Sequence, residues 1–212
     1  MKPRLPRIWI ITNPDHPEGP VVPLVRALRG CPPGAVGVQL RAKQATDRKL
    51  VEWGHALRST TARRGCLLTV NRRPDVAEIV EADGVHLPEA GLCVPQVRSE
   101  WPDMPLLGVS RHDREGLSKA AQEHATFAFL SPVFPVPGKA EPLGLEGFAA
   151  QIAHVEIPTY ALGGVHGKHV APLLAAGACG IAVRRTIYDA PDPEAALQSL
   201  LSELDKTRSK GE

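Results

Sequence analysis

A (β/α)8 barrel, an α/β fold of the TIM type, is what this 212-residue sequence predicts, and two observations predict it. Short apolar runs rich in β-branched residues recur from one end of the chain to the other, each followed by a stretch with helical spacing. The repeat is roughly 20–30 residues, enough for a parallel strand and its helical crossover. Eight such units in about 200–250 residues, with no second composition regime, favour a closed barrel over an open doubly wound sheet. An open sheet that binds dinucleotides would carry G-x-G-x-x-G after its first strand. The chain has Thr12-Asn13-Pro14-Asp15 there instead. Periodicity does not show closure, so an open sheet with its ligand at a switch point in strand order stands as the alternative. The expected organisation is one domain over 1–212, with a polar tail from about 205 to 212 that frays.

The strands are predicted at Ile8 to Thr12, Val36 to Arg41, Cys66 to Val70, Gly84 to Leu87, Leu106 to Val109, Phe127 to Leu130, Thr159 to Leu162 and Gly180 to Val183. Strands buried on both faces of a parallel sheet read as continuous apolar runs, as these do. Between them, Thr46 precedes a helical run to Arg64, and Pro74 suits the first turn of a helix reaching Glu81 because its missing N–H would have had no partner there. His112 and Asp113 open a run to Glu123, Asp192 and Pro193 open the last helix, and Ala175-Ala176-Gly177 reads as a helix ending at a glycine cap. Ser131 to Gly144, SPVFPVPGKAEPLG, is too long for an ordinary connection of about 2–6 residues and is a candidate active-site loop.

Composition narrows the function classes. Lys and Arg total 25 against 23 Asp and Glu, and a formal charge of +2 supplies no global field for nucleic acid or an anionic membrane. Cys31, Cys66, Cys93 and Cys179 contain no C-x-x-C pair, so neither a disulfide framework nor a zinc knuckle is legible, and reduced, mostly buried thiols are expected. The apolar run after Arg7 is too short for a signal segment or a membrane span, which makes a soluble cytoplasmic protein the expectation.

In a barrel of this kind, chemistry sits at the C-terminal ends of the strands. The second strand ends Val38-Gln39-Leu40-Arg41-Ala42-Lys43, and alternation sends Gln39, Arg41 and Lys43 to one side. An amide and two cations suit a multiply charged anion, although the same residues could plug the barrel mouth with internal salt bridges. Asn71-Arg72-Arg73-Pro74 puts two arginines at a helix entrance, where an anion is favoured, or where one of them is solvated or pairs with Asp75. Gly163-Gly164 follows the seventh strand, and Val183-Arg184-Arg185 ends the eighth; loops seven and eight commonly build a phosphate site. After the fifth strand, Ser110 and His112 could hydrogen-bond a leaving group or donate a proton, or could cap the next helix. His86 reads equally well as a satisfied structural histidine. No G-x-S-x-G or H-E-x-x-H is present, so hydrolase and zinc readings are poor.

Taken in order, QLRAK (39–43), VNRRPDVA (70–77), ADGVHLP (82–88), GVSRH (108–112), SPVFPVPGK (131–139), PLGLEGF (142–148) and ALGGV (161–165) resemble the thiamine phosphate synthase and thiazole tautomerase (TenI) superfamily. The resemblance implies a (β/α)8 barrel whose partners are phosphorylated pyrimidine and thiazole molecules, often as a homo-oligomer. Gln39, Arg41, Lys43, Asn71, Ser110 and Lys139 would hold a pyrimidine pyrophosphate, and Gly163, Gly164 and Val183 to Arg185 a thiazole phosphate. In the synthase branch the pyrophosphate leaves the pyrimidine methylene and the thiazole nitrogen captures the resulting cation. That branch also implies Mg²⁺, held by carboxylates at two positions that are Arg72 and Gly91 here, with only Glu89 nearby. Either Mg²⁺ arrives on the substrate or the Arg72 guanidinium takes over its charge. The tautomerase branch implies a histidine in a G-H-V-F turn where this chain has Ser131-Pro132-Val133-Phe134, leaving Ser131, His112 or Glu89 as replacements. A catalytically silent thiazole phosphate binder is the third reading.

Overall fold

The eight predicted strands form and pair in sequence order, and the last pairs with the first. In the computed structural model, which describes residues 4–208, they are β1 (Ile8–Ile11), β2 (Val36–Leu40), β3 (Leu67–Asn71), β4 (Gly84–Leu87), β5 (Leu106–Arg111), β6 (Phe127–Leu130), β7 (Thr159–Leu162) and β8 (Gly180–Val183). All pairs are parallel, and Ile8 beside Ile181 closes the cylinder. Closure removes the two edge strands that an open sheet would leave.

Helices cover the outside: α1 (Val22–Ala27), α2 (Asp47–Arg63), α3 (Pro74–Ile79), α4 (Val94–Glu100), α5 (Arg114–Gln122), α6 (Gly144–Ile152), α7 (Val170–Ala175) after a 3-10 turn, α8 (Arg185–Tyr188) and α9 (Pro193–Arg208). Thr46 caps α2 by accepting from the Lys49 amide, and Pro74 occupies the first turn of α3. Gly177 takes φ +97°, and its amide bonds to Leu174 O, closing α7. Sequence reading missed α1, α4 and α8, which are too short to show a helical period, and α6, which is as long as α5 but starts at a glycine without a side-chain cap.

Several boundaries move. β5 continues through Ser110 and Arg111, and the cap of α5 is Asp113, accepting from Gly116 N, not Ser110 or His112. β2 stops at Leu40, one residue before Arg41, because Arg41 N bonds to the Thr12 side chain instead of a neighbouring strand. Residues 205–208, expected in the polar tail, continue α9, with Lys206 paired to Glu203 and Thr207 Oγ1 donating to Leu204 O. Residues 209–212 of that tail lie outside the described residues.

Side-chain alternation divides the core into two layers. Ile8, Ile10, Val36, Val38 and Leu40 face the helices, whereas Trp9, Ile11, Leu106, Phe127, Phe129, Tyr160 and Ala182 fill the cylinder. Aromatic residues make up only 4% of the chain, yet four of them meet here: Trp9 stacks on Phe127 at 4.7 Å, and Tyr160 meets both Trp9 and Phe129 edge-on. Such contacts add about 0.5–1.5 kcal/mol each beyond the apolar area they bury. Cys31 and Cys66 approach to 3.9 Å in the outer layer, and both are free thiols, as expected.

The Trp9 indole fits only because β2 carries no side chain beside it. A Cβ on Gly37 would lie 2.5 Å from two of its ring carbons. Gly37→Ala should therefore cost on the order of 3 kcal/mol, since the ring is hemmed in by three other aromatics. Urea unfolding with the Trp9 signal as readout would check it.

Candidate active site

At the C-terminal end of the cylinder the inner layer stops at Ile11, Phe129, Leu162 and Ala182, which floor a cavity of about 660 Å³. The volume is that of a small-ligand site, with an apolar base and polar groups converging from above. Its wall brings together Gln39, Arg41 and Lys43 from the β2 end, Asn71 from β3, Ser110 and His112 from the β5 end, and Lys139 from the loop after β6. Gly163 and Gly164 after β7, and Val183, Arg184 and Arg185 at the end of β8, complete it. Arg72 does not line the cavity, and neither does Gly91. Arg73, its neighbour, is used up structurally: its guanidinium holds Asp75 at 2.7 Å and Asp47 at 2.5 Å, which raises its pKa further.

Backbone geometry places each group. Thr12, fully buried just past β1, accepts from Arg41 N at 2.8 Å and donates to Arg41 O at 3.2 Å, so one hydroxyl holds the Arg41 peptide at both ends. Sequence reading missed it; the only signal was a polar residue immediately after an apolar strand. Gly163 and Gly164 take φ +100° and +61°, in the left-handed region, and the loop after β6 lies against them. A Cβ on Gly163 would sit 2.9 Å from Pro132 Cα, and one on Gly164 2.9 Å from Pro135 O. The pair is thus required by the close passage of the loop that carries Lys139, whatever their amides bind. Thr186, also missed, ties the eighth loop to the seventh through Val165 O at 2.7 Å.

The cations at the mouth are not partnered by carboxylates. Among the described residues, Arg41, Lys43, Arg72, Lys139, Arg184 and Arg185 form no ion pair. That rules out the salt-bridged plug. Burial, then Arg184 and Arg72, hold the Arg41 pKa below its usual value; Arg41 and, after desolvation, Lys139 and Arg72 do the same to Lys43. Like charges this close lower each other's affinity for a proton, and an anion among them relieves the repulsion.

The wall carboxylates are Glu89 and Asp189, and Glu89 Oε2 lies 3.7 Å from His112 Nε2. The other ring nitrogen of His112 meets the Ser131 carbonyl, which only accepts, so Nδ1 carries its hydrogen. No group of three or more His, Cys, Asp or Glu among the described residues is disposed to hold a metal ion. A hard divalent cation seeks several oxygen ligands, and this rim offers guanidinium and ammonium groups instead. The residues present do not fit a resident Mg²⁺.

His86 is fully buried on the inner layer, stacked on Phe129 at 4.4 Å, with Nε2 2.9 Å from Ser110 Oγ. Its Nδ1 has no partner among the described residues. A buried N–H without an acceptor is worse tolerated than a bare lone pair, so Nε2 carries the hydrogen and donates to Ser110, leaving the serine hydroxyl hydrogen free for the cavity. Burial above all, then the Arg111 and Arg41 charges, push the His86 pKa down to about 3. It stays neutral. His86 is therefore structural and, through Ser110, one step from the cavity.

A closed (β/α)8 barrel whose C-terminal face holds an apolar-floored cavity lined by cations has the architecture of a barrel enzyme. The chain belongs to the thiamine monophosphate synthase family, whose model matches residues 8–187. It is 39% identical over 201 residues to a putative thiamine-phosphate synthase of Geobacter sulfurreducens, covering 93% of each chain. It is 35% identical over 210 residues to the thiamine-phosphate synthase of Chlorobium luteolum, covering 98% of this chain and 97% of that one. Among solved structures, a thiamine phosphate pyrophosphorylase from Pyrococcus furiosus superposes with a TM-score of 0.86 at 30% identity, over 95% of this chain and 96% of the other. Among the described residues no helix is long and apolar enough to cross a membrane.

Thr12→Val keeps the shape of the side chain and removes both bonds to Arg41. Stability should fall by about 1–2 kcal/mol, as urea unfolding would show. His86 makes a separate expectation. Its imidazole takes up a proton near pH 6.5 when unfolded and only near pH 3 when folded. Unfolded chains therefore bind more protons between those values. Stability should be full above about pH 6.5 and fall by up to about 1.4 kcal/mol per pH unit below it. His86→Gln should flatten this part of a urea-derived stability–pH curve.

Proposed function

We propose that this chain joins a hydroxymethylpyrimidine pyrophosphate to a thiazole phosphate, forming thiamine phosphate and releasing pyrophosphate. The observation that carries the reading is that one cavity is bounded both by the Arg41, Lys43, Ser110 and Lys139 group and by Gly163, Gly164, Arg184 and Arg185. Two phosphorylated molecules can thus lie side by side over the apolar floor. Membership in the family and the relatives' shared name support it.

On this reading Arg41, Lys43 and Lys139 surround the pyrophosphate, with Arg72 adding charge from just outside the wall. Gln39 and Asn71 orient the pyrimidine, and the Ser110 hydroxyl, freed by His86, donates to the leaving group. The methylene C–O bond breaks with its electron pair going to pyrophosphate, and the thiazole nitrogen lone pair then forms the new C–N bond to the methylene cation. Charge stabilisation on the leaving group and close placement of the nucleophile are what such a step needs; no base is required. Gly163 and Gly164 with Val183 to Arg185 hold the thiazole phosphate at the other end. With Glu89 turned to His112 and no metal-holding cluster among the described residues, a metal would enter here on the pyrophosphate oxygens.

His112 gives a second reading its one specific support. It lies on the cavity wall between Glu89 and Ser131, an arrangement suited to moving a proton on a thiazole phosphate, as a tautomerase would. Incubation of the full chain with both substrates decides between them. Stoichiometric thiamine phosphate and pyrophosphate are expected, and Arg41→Ala should reduce kcat about 10²–10³-fold, as loss of one charge-stabilising donor does. Isomerisation of the thiazole alone would select the second reading, and binding without turnover would reduce the chain to a carrier of the thiazole.

A further inference from the structure

The charges around the mouth form a connected set. Arg184 and Arg72 both act on Arg41, and Arg41, Lys139 and Arg72 all act on Lys43. No carboxylate appears among these influences. Arg72 is the unusual member. It is exposed, its side chain has no partner among the described residues, and its backbone sits at φ +69°, a left-handed conformation that a long side chain seldom adopts. The Arg72 amide, bonded to His86 O at 2.9 Å, holds it there. The turn out of β3 thus places a guanidinium directly after Asn71, which lines the cavity, and within electrostatic range of Arg41 and Lys43, where no hydrogen bond or ion pair among the described residues uses that charge. A divalent cation entering between these groups would be repelled by each of them and, among the described residues, would find no cluster of carboxylate, histidine or cysteine ligands.

We infer that this chain binds its diphosphate-bearing substrate as the metal-free anion, with the Arg72 guanidinium supplying the positive charge that a bridging divalent cation would otherwise bring. The inference rests on the proposed synthase reading for the identity of the substrate, but the binding event needs only the diphosphate group. Planar guanidinium groups engage phosphate oxygens in pairs and stay charged at any working pH, so Arg72 and Arg41 together can replace a metal's neutralising role.

Inorganic pyrophosphate titrated calorimetrically into the full chain tests this, once in excess EDTA and once in excess Mg²⁺. Binding should be undiminished in EDTA, and Mg²⁺ should leave it unchanged or weaken it by sequestering the anion. Arg72→Ala should lose about ten- to a hundredfold in EDTA, the worth of one charge-assisted contact, and Mg²⁺ should not restore it. Arg72→Asp should lose at least as much, and Mg²⁺ should recover part of the loss because the new carboxylate offers an oxygen ligand. Because the Arg72 side chain is exposed and forms no hydrogen bond or ion pair among the described residues, neither variant should disturb folding. Pyrophosphate binding by the unaltered chain only when Mg²⁺ is present, or an Arg72→Ala variant with undiminished affinity in EDTA, would overturn the inference. Metal-free pyrophosphate binding by a chain that makes no product would keep it and sink the synthase reading; product formation with binding strictly dependent on Mg²⁺ would do the reverse.

Discussion

The pairing of β1 with β8 is the contact on which both the core and the site depend. Ile8, Trp9 and Ile10 lie beside Ile181, Ala182 and Val183, and that register closes the sheet. Closure encloses the aromatic layer around Trp9, and it also carries Arg184, at the far end of the sequence, to within electrostatic reach of Arg41. An open sheet would leave Arg184 after one edge strand and Arg41 beside the other edge. The cavity is therefore a consequence of closure, built where the inner layer of side chains runs out.

Concentrating cations without carboxylates is costly in the absence of a ligand. The neighbouring cations lower the proton affinity of Lys43 and, after burial, that of Arg41. The fold offsets that cost with rigid backbone supports: the Thr12 hydroxyl at Arg41, the Arg72 amide on His86, and Thr186 bridging the last two loops. These supports fix the backbone from which the charged side chains project, so on the proposed reading little backbone reorganisation is left to do on binding. His86 serves the same end from below. Kept neutral by burial, it orients Ser110 and contributes no charge of its own.

Much of this was legible in the residues. All eight strands lie where the apolar runs predict them, because strands buried on both faces are mostly apolar, with polar residues such as Gln39, Thr69 and His86 only at isolated positions. Gln39, Arg41, Lys43, Ser110, His112, Lys139 and the two glycines, read from strand ends and from the long loop, all face one cavity. Short helices such as α1 and α8 escaped, since one and a half turns show no period. Thr12 escaped because its role is to bond a backbone 29 residues away, and Gly163 and Gly164 read as phosphate glycines without the loop packing that also demands them.

Taken alone, the order of apolar runs and strand-end residues determined the barrel class and the candidate site set, because alternation along a strand assigns each side chain to the inside or the outside. What the tertiary structure alone decided was partnership. Arg73 is consumed by Asp75 and Asp47 while adjacent Arg72 is left free, and Glu89 turns to His112 instead of completing a metal site. Cys31 and Cys66, 35 residues apart in sequence, become neighbours. Charge pairing depends on distances of a few ångströms between remote segments, and those distances exist only once the sheet has closed.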